Sequence, residues 1–393
     1  MAAGRKWVLL AALLALALRL AFAFAYWVDE PLTRDEREYL ALAGLAPGTA
    51  DPFGRAPGYP GFLALVSGGR GSGDEVPASA KVAQSIVGAL GVLVVGALAR
   101  RLAGDRAAVA AAFLAAAHPP LVAVSARAFS EALFWPLGLM VAWLFDRALE
   151  NRNQETRRAV LCGVLAGLAV LVRPGLIVWL PLAAGWAFWR RRPQVAMACL
   201  AGAVLALGPW TIRNHAHYGR VVIVASEGGV TFWTGNHPLA RGDGDLAANP
   251  DLARARQALR AQHPNLSEEQ MEPVYYREAF GWIASHPLQW LYLEARKVFY
   301  LVVPIGPSYQ VHSARYYAAS AIPYVLILAL ALIGLRHVAA ARTTGLWLLL
   351  ASSIVTCLVF FPSERFRIPV IDPVLIVAAG AALAGREPAR PAS

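Results

Sequence analysis

Apolar segments long enough to cross a bilayer recur along this chain, separated by short connections in which arginine and lysine cluster. They occur at roughly 7–27, 78–99, 106–122, 129–148, 159–173, 175–189, 194–212, 316–335, 343–361 and 367–384. About twenty apolar residues in helical conformation match the hydrocarbon thickness of a membrane, where every backbone polar group must be satisfied within its own segment. The pattern therefore predicts an all-α polytopic membrane protein with about ten transmembrane helices. Composition agrees, with 58% hydrophobic and 16% charged residues among 393. The first segment carries "AFAFA" near its end, similar to a signal-peptidase site, but its span length favours an uncleaved helix.

A formal net charge of +11 raises the question of nucleic acid, but the basic residues sit between apolar segments and not along one solvent face. Arg5 and Lys6; Arg100, Arg101 and Arg106; Arg147, Arg152, Arg157 and Arg158; Arg190–Arg192; Arg336 and Arg342; and Arg386 and Arg390 occupy alternate connections. The positive-inside rule reads these as cytoplasmic, which places both termini there and excludes nucleic acid as the reason for the charge. The three cysteines, Cys162, Cys199 and Cys357, lie inside apolar segments and read as small buried side chains.

The chain divides into an N-terminal membrane module, 1–212, with a first outer loop at 28–77; an extracytoplasmic segment, 213–315; and C-terminal membrane helices, 316–393. Within the second, "VVIVASEGGVTFWTGN" reads as a hairpin turning at Glu227-Gly228-Gly229, giving a small α+β segment. Two helices follow. "SEEQ" at Ser267–Gln270 has capping-box spacing, and Pro287 ends the helix it opens. Residues 288–305 carry Glu294, Arg296 and Lys297 at their middle, which predicts an interfacial helix that keeps these charges in headgroup water and does not cross.

Against this background "LTRDEREYLALA", Leu32–Ala43, holds five charged residues at the mouth of the first span. Thr33 and Glu36 have the spacing of a capping box, so Asp35 and Glu36 also fit a purely structural role at a helix start. The remaining outer surface adds Arg55 and Tyr59 in "GRAPGYPGF", Arg127 and Glu131 in "SARAFSEALF", Arg173-Pro174, Arg213 in "PWTIRN", and Arg365 and Arg367 in "FPSERFRIP". The last two, at i and i+2, would point to one side of an extended chain. A carboxylate within reach of a hydroxyl can take its proton, and arginine forks bind phosphate in a bidentate manner. There is no GxxxxGK[ST] loop or dinucleotide fingerprint for a soluble nucleotide. His215, His217, His237 and His312 share the outer side without a fixed metal-ligand spacing, and Arg19 lies within the first span.

The ordered series "RDEREYLALA", "RAPGYPGFLAL", "LVRPGLIVWLPL", "GPWTIRNHAHYG" with "TGNHP", and "SERFRIPVIDPVLIV" resembles bacterial polyprenyl-phosphate-sugar-dependent glycosyltransferases of the GT-C superfamily. The nearer likeness is to glycosyltransferase family 39, related to protein O-mannosyltransferases and lipid A aminoarabinose transferases. The resemblance implies a GT-C-like bundle with juxtamembrane helices in the inner membrane and an active site on the extracytoplasmic face. It implies a polyprenyl-phosphate-linked sugar as donor, a glycan, lipid or protein hydroxyl as acceptor, and membrane lipid as surroundings. It makes Asp35, then Glu36, the catalytic candidates, with Asp29-Glu30 a less well matched pair. Arg365, Arg367 and Arg55 become the candidate phosphate ligands, and Tyr59, Glu131 and Arg213 further site residues. No metal and no cofactor are expected. A membrane transporter or lipid-linked sugar flippase is the alternative, though such proteins place charge near the midplane and show related halves.

Overall fold

The computed structural model describes residues 2–28, 30–46, 54–71, 73–150, 154–307, 313–337 and 343–385. Asp29 and His312 lie outside them, as do Arg152, Arg342, Arg386 and Arg390. Among the described residues the secondary structure is entirely helical.

The first span, α1 (Ala2–Ala21), continues through a π-turn at Phe22–Tyr26 and leaves Leu9, Leu13 and Phe24 exposed, as a helix in contact with lipid does. Two short helices follow, α2 (Arg34–Leu42) and α3 (Gly58–Ser67). The next element, α4 (Ala78–Ala117), holds two predicted spans in one rod that reverses at Ala103-Gly104, where Gly104 has a φ of 87° that a side chain would resist. A Cβ on Gly96 would lie 3.6 Å from the Ala108 carbonyl, so the two arms run back on each other.

The chain then continues through α5 (Pro119–Ala123), α6 (Glu131–Glu150), α7 (Glu155–Val172), α8 (Trp179–Trp189) and α9 (Pro193–Tyr218). The remaining membrane helices are α14 (Ala314–Gly334), α15 (Thr344–Val359) and α17 (Ile371–Ala384). Each of the ten predicted segments thus falls on helix. By length and composition five stretches are sufficient to cross a bilayer: Gly4–Tyr26, Ala78–Ala117, Glu131–Glu150, Pro193–Tyr218 and Ala314–Gly334. Pro174–Trp189, Thr344–Val359 and Ile371–Ala384 are shorter apolar helices beside them.

Small residues set the packing, as in other membrane bundles where dispersion replaces the hydrophobic effect. Helices α7 and α9 touch through Gly163 and Gly202, whose added Cβ atoms would sit 1.9 Å from the Cys199 carbonyl and 2.3 Å from the Val160 carbonyl. Both obstacles are backbone and cannot move aside. Gly163→Ala should therefore cost about 1–3 kcal/mol by overpacking, read as a lower thermal midpoint in detergent; an unchanged midpoint would refute this account of the interface.

Two expectations for 213–315 fail. The anticipated hairpin is absent: Gly228–Gly235 forms helix α10, and the β-branched stretch before it stays irregular. Tertiary contacts override its strand propensity. Asn214 Nδ2 donates to the carbonyls of Val222 and Val224 at 3.0 and 3.3 Å, Trp210 Nε1 donates to Val224 at 2.8 Å, and these bonds occupy acceptors a ladder would need. Helix α10 then packs on α12 (Glu268–Ser285), which follows α11 (Pro250–Ala261), with Trp233, Met271 and Tyr275 buried between them. The predicted start of α12 is observed, with Ser267 N donating to Gln270 Oε1 at 3.0 Å.

The second correction concerns α13 (Pro287–Val302), expected to hold its charges in headgroup water. Its polar side faces protein. Lys297 is fully buried and donates to Glu294 Oε1, Asn236 Oδ1 and the Leu358 carbonyl at 2.6, 3.1 and 2.8 Å. Leu288, Leu291, Tyr292, Val298, Phe299 and Val302 form the exposed face instead. An inward polar side and an outward apolar one suit a helix lying against lipid. The bonds from Lys297 and Asn236 to the end of α15 also fix the segment leading into α16 (Glu364–Arg367).

Candidate active site

The two ends of the bundle differ chemically. Arg101 pairs with Glu150, Arg192 with Glu155 and Arg100 with Asp105 at the end where α6 finishes and α7 begins. At the opposite end, where α6 begins and α7 finishes, the site candidates gather.

Thr33 starts α2 with the capping box read from the sequence: its N–H donates to Glu36 Oε2 at 2.9 Å and its Oγ1 accepts from Glu36 N at 3.4 Å. Glu36 is buried and also accepts from Ala128 N at 3.1 Å, while Arg127 lies 3.5 Å away. Its carboxylate therefore ties α2 to the loop before α6. Asp35, next to it in the first turn, points elsewhere and remains a quarter exposed.

Asp35 sits between two arginines. Arg55 Nη2 donates to Oδ1 at 2.7 Å, and Arg365 Nη1 donates to Oδ2. Arg55 comes from the turn before α3, where Gly58 lets the backbone meet the end of α7: a Cβ there would be 2.8 Å from the Leu171 carbonyl. It also pairs with Glu38 at 2.6 Å and Glu227 at 3.1 Å, and its guanidinium lies over the Tyr39 ring. Arg365 comes from α16. Its Nε reaches Glu131 Oε1 at 2.7 Å, and its guanidinium lies over Phe129. Glu131 is buried at the first turn of α6, and Arg173 Nη1 reaches the same Oε1 at 3.0 Å. Arg173 also donates to Ser130 Oγ and to the Arg365 carbonyl, at 3.3 and 3.1 Å.

Burial alone would raise the proton affinity of Asp35, but the Arg365 and Arg55 charges outweigh it and hold the carboxyl below its usual range. Glu227 behaves oppositely. Burial, with Asp35 and Glu38 nearby, pushes it up despite Arg55. Partial burial acts against the charge of Arg55 and Arg365, yet their carboxylate partners raise both above the ordinary value, so both stay charged. The result is a carboxylate whose two oxygens are shared by two permanent cations, open to the surface on one side.

Four candidates, Asp35, Arg55, Glu131 and Arg365, thus meet. Tyr59 lies one layer beneath, fully buried, edge-on to Tyr39, with its hydroxyl donating to Gln84 Oε1 at 2.6 Å. Arg213 does not join them: it stacks on Trp210 and Tyr218 at the end of α9 and donates to Asn214. Nor does Arg367, and here the i, i+2 expectation is overturned. Residues 364–367 are a helical turn, not extended chain, so the two guanidiniums leave on different sides. Arg367 is buried with Asp372 at 3.0 Å, donates to Ser320 Oγ at 2.8 Å and lies over the Tyr324 ring. Asp372 in turn bonds His118 Nε2 at 2.9 Å.

Glu38 and Glu227 join the cluster without having been read as site residues, and Arg173, read only as a charge of the outer surface, joins them. Glu38 was legible one helical turn after Asp35, whereas Glu227 was hidden by the strand reading. Among the described residues no group of three or more His, Cys, Asp or Glu side chains is arranged to hold a metal. His215 and His217 end α9 exposed, and the His237 ring packs against Trp233 at a tilt of 50°.

Fold and site together define a multi-pass membrane protein with an acid and arginine cluster at one end of its helical bundle. The chain is similar to the archaeal oligosaccharyltransferase AglB of Archaeoglobus fulgidus. With that enzyme tethered to an acceptor peptide the TM-score is 0.58 at 15% identity, covering 96% of this chain and 49% of the other. With AglB in complex with an inhibitory peptide and a dolichol-phosphate it is 0.54 at 16% identity, covering 96% and 50%. The chain therefore spans about half the length of those structures. ArnT from Cupriavidus metallidurans aligns with a TM-score of 0.41 at 17% identity over 97% of this chain and 78% of that one. A family model described as dolichyl-phosphate-mannose-protein mannosyltransferase matches residues 70–211. Among curated proteins nothing matches.

Proposed function

We propose that the protein is a membrane glycosyltransferase that moves a sugar from a polyprenyl-phosphate donor to an acceptor hydroxyl. The observation that carries this reading is the convergence of Arg55 and Arg365 on Asp35 at the end of the bundle away from the basic clusters. The fold shared with AglB and the partial match to a mannosyltransferase model support it. Arg365 and Arg55 hold the donor phosphate, Asp35 takes the acceptor proton, and attack at the anomeric carbon inverts its configuration. The basic clusters support a topology with both termini in the cytoplasm and the reaction on the extracytoplasmic face of the inner membrane.

Mass analysis of lipid-linked sugars and envelope glycans in a deletion strain, compared with one carrying Asp35→Asn, tests this. Accumulation of the same lipid-phosphate sugar in both strains is expected, with loss of one glycan modification. An unchanged lipid-linked pool in the deletion strain would refute the donor class.

A further inference from the structure

Each of the two arginines is held along one edge by its own carboxylate. Arg365 offers Nε and Nη2 to the two oxygens of Glu131, at 2.7 and 3.4 Å, and Arg173 Nη1 also holds Oε1 of Glu131, at 3.0 Å. Arg55 offers Nε and Nη2 to Glu38 Oε2, at 3.1 and 2.6 Å. In both cases nitrogen capacity is left over and reaches Asp35, while Arg55 Nη1 also pairs with Glu227 at 3.1 Å. Arg365 uses Nη1 on Oδ2, and Arg55 uses the second contact of Nη2 on Oδ1 at 2.7 Å.

The Asp35 carboxylate therefore stands where two forks cross, one oxygen to each. A glycosyl phosphodiester presents the same pattern, a single negative charge spread over two non-bridging oxygens that arginines bind in pairs. Two such anions cannot share this seat. The local charge already disfavours it: Asp35, Glu38, Glu131 and Glu227 face Arg55, Arg173 and Arg365.

We infer that Asp35 occupies the seat that the donor phosphate takes, that Glu131 and Glu38 are positioning residues holding Arg365 and Arg55 toward that seat, and that the arriving donor displaces Asp35 and frees it to act as base. The inference rests on the lipid-phosphate transfer proposed above and adds an order to it. While paired, Asp35 is a weak proton acceptor. Once displaced it loses two cations and gains an anionic neighbour, and both changes raise its proton affinity. The acceptor proton then passes to an Asp35 oxygen while the acceptor oxygen bonds to the anomeric carbon. The bond from that carbon to the phosphate oxygen breaks, and its electron pair stays on the lipid phosphate, which the arginines retain. When the lipid phosphate leaves, Asp35 gives its proton to water and returns to the seat.

The test is equilibrium binding of farnesyl phosphate, a short polyprenyl monophosphate, to the full chain in detergent. Asp35→Asn removes the competing anion and should bind the probe about tenfold tighter, while Glu131→Gln and Glu38→Gln should each bind it about tenfold weaker, the scale of one charge-assisted hydrogen bond. In turnover the Glu131 and Glu38 variants should raise the donor KM more than they lower kcat, a division that general unfolding would not produce. Wild-type or weaker affinity in Asp35→Asn, beside a wild type that binds, would overturn the shared seat. That variant decides the matter even if Glu131→Gln fails to fold. No binding by the wild type would instead remove the lipid-phosphate reading on which the inference rests.

Discussion

Asp35→Asn should lower transfer by about a hundred- to ten-thousand-fold, the range general base catalysis contributes, without loss of folding or of affinity for lipid phosphate. The amide keeps the shape of the side chain but cannot take a proton. It also removes the charge that both Arg55 and Arg365 face, leaving Arg55 paired with Glu38 and Glu227 and Arg365 with Glu131. Neither arginine is left as an isolated buried cation, so stability should change little. The measurement is kcat on the accumulated donor, alongside the thermal midpoint in detergent. Normal turnover would eliminate Asp35 as the base.

The membrane bundle was readable because hydrocarbon tolerates so few exceptions: apolar length and the basic connections mark each segment without knowledge of its neighbours. The capping of α2 was equally local, written in Thr33 and Glu36. What sequence reasoning missed depends on partners far away in the chain. Lys297 looked like a charge for headgroup water because its partners, Asn236 and the Leu358 carbonyl, lie about sixty residues to either side. The stretch before Gly228 looked like a strand because nothing local reveals that Asn214 and Trp210 claim its carbonyls. The juxtaposition of Asp35 with Arg55 and Arg365 spans 330 positions of sequence. It was expected only through the order of motifs in a resemblance, and spacing alone left capping equally open. Glu38 and Arg173 show the same limit from the other direction: both were visible as charges at the right end of the bundle, but only coordinates assign them to Arg55 and Glu131.

Arg365 and Arg367, paired in the sequence, should give opposite phenotypes when changed one at a time. Arg365→Ala removes a guanidinium that remains more than a third exposed and bridges Asp35 and Glu131. Glu131 keeps Arg173 and Asp35 keeps Arg55, so the fold should hold. Donor affinity should fall by about 2–5 kcal/mol, the cost of truncating one side of a hydrogen-bonded charge pair. Arg367→Ala leaves the site's surface unchanged but takes the cation from a buried group that contains Asp372, Ser320 and Tyr324. Among the described residues Asp372 would then keep His118, itself buried, as its partner, and Glu364 would lose the guanidinium 3.7 Å away. Stranding a carboxylate in this way costs about 3–5 kcal/mol of stability, enough to lower the amount of folded protein at the temperature of expression. Farnesyl phosphate binding and thermal unfolding of the two variants, measured in parallel, separate the roles. A stable Arg367→Ala protein with weakened donor binding would return Arg367 to the phosphate clamp and show that the α16 turn opens in the working enzyme.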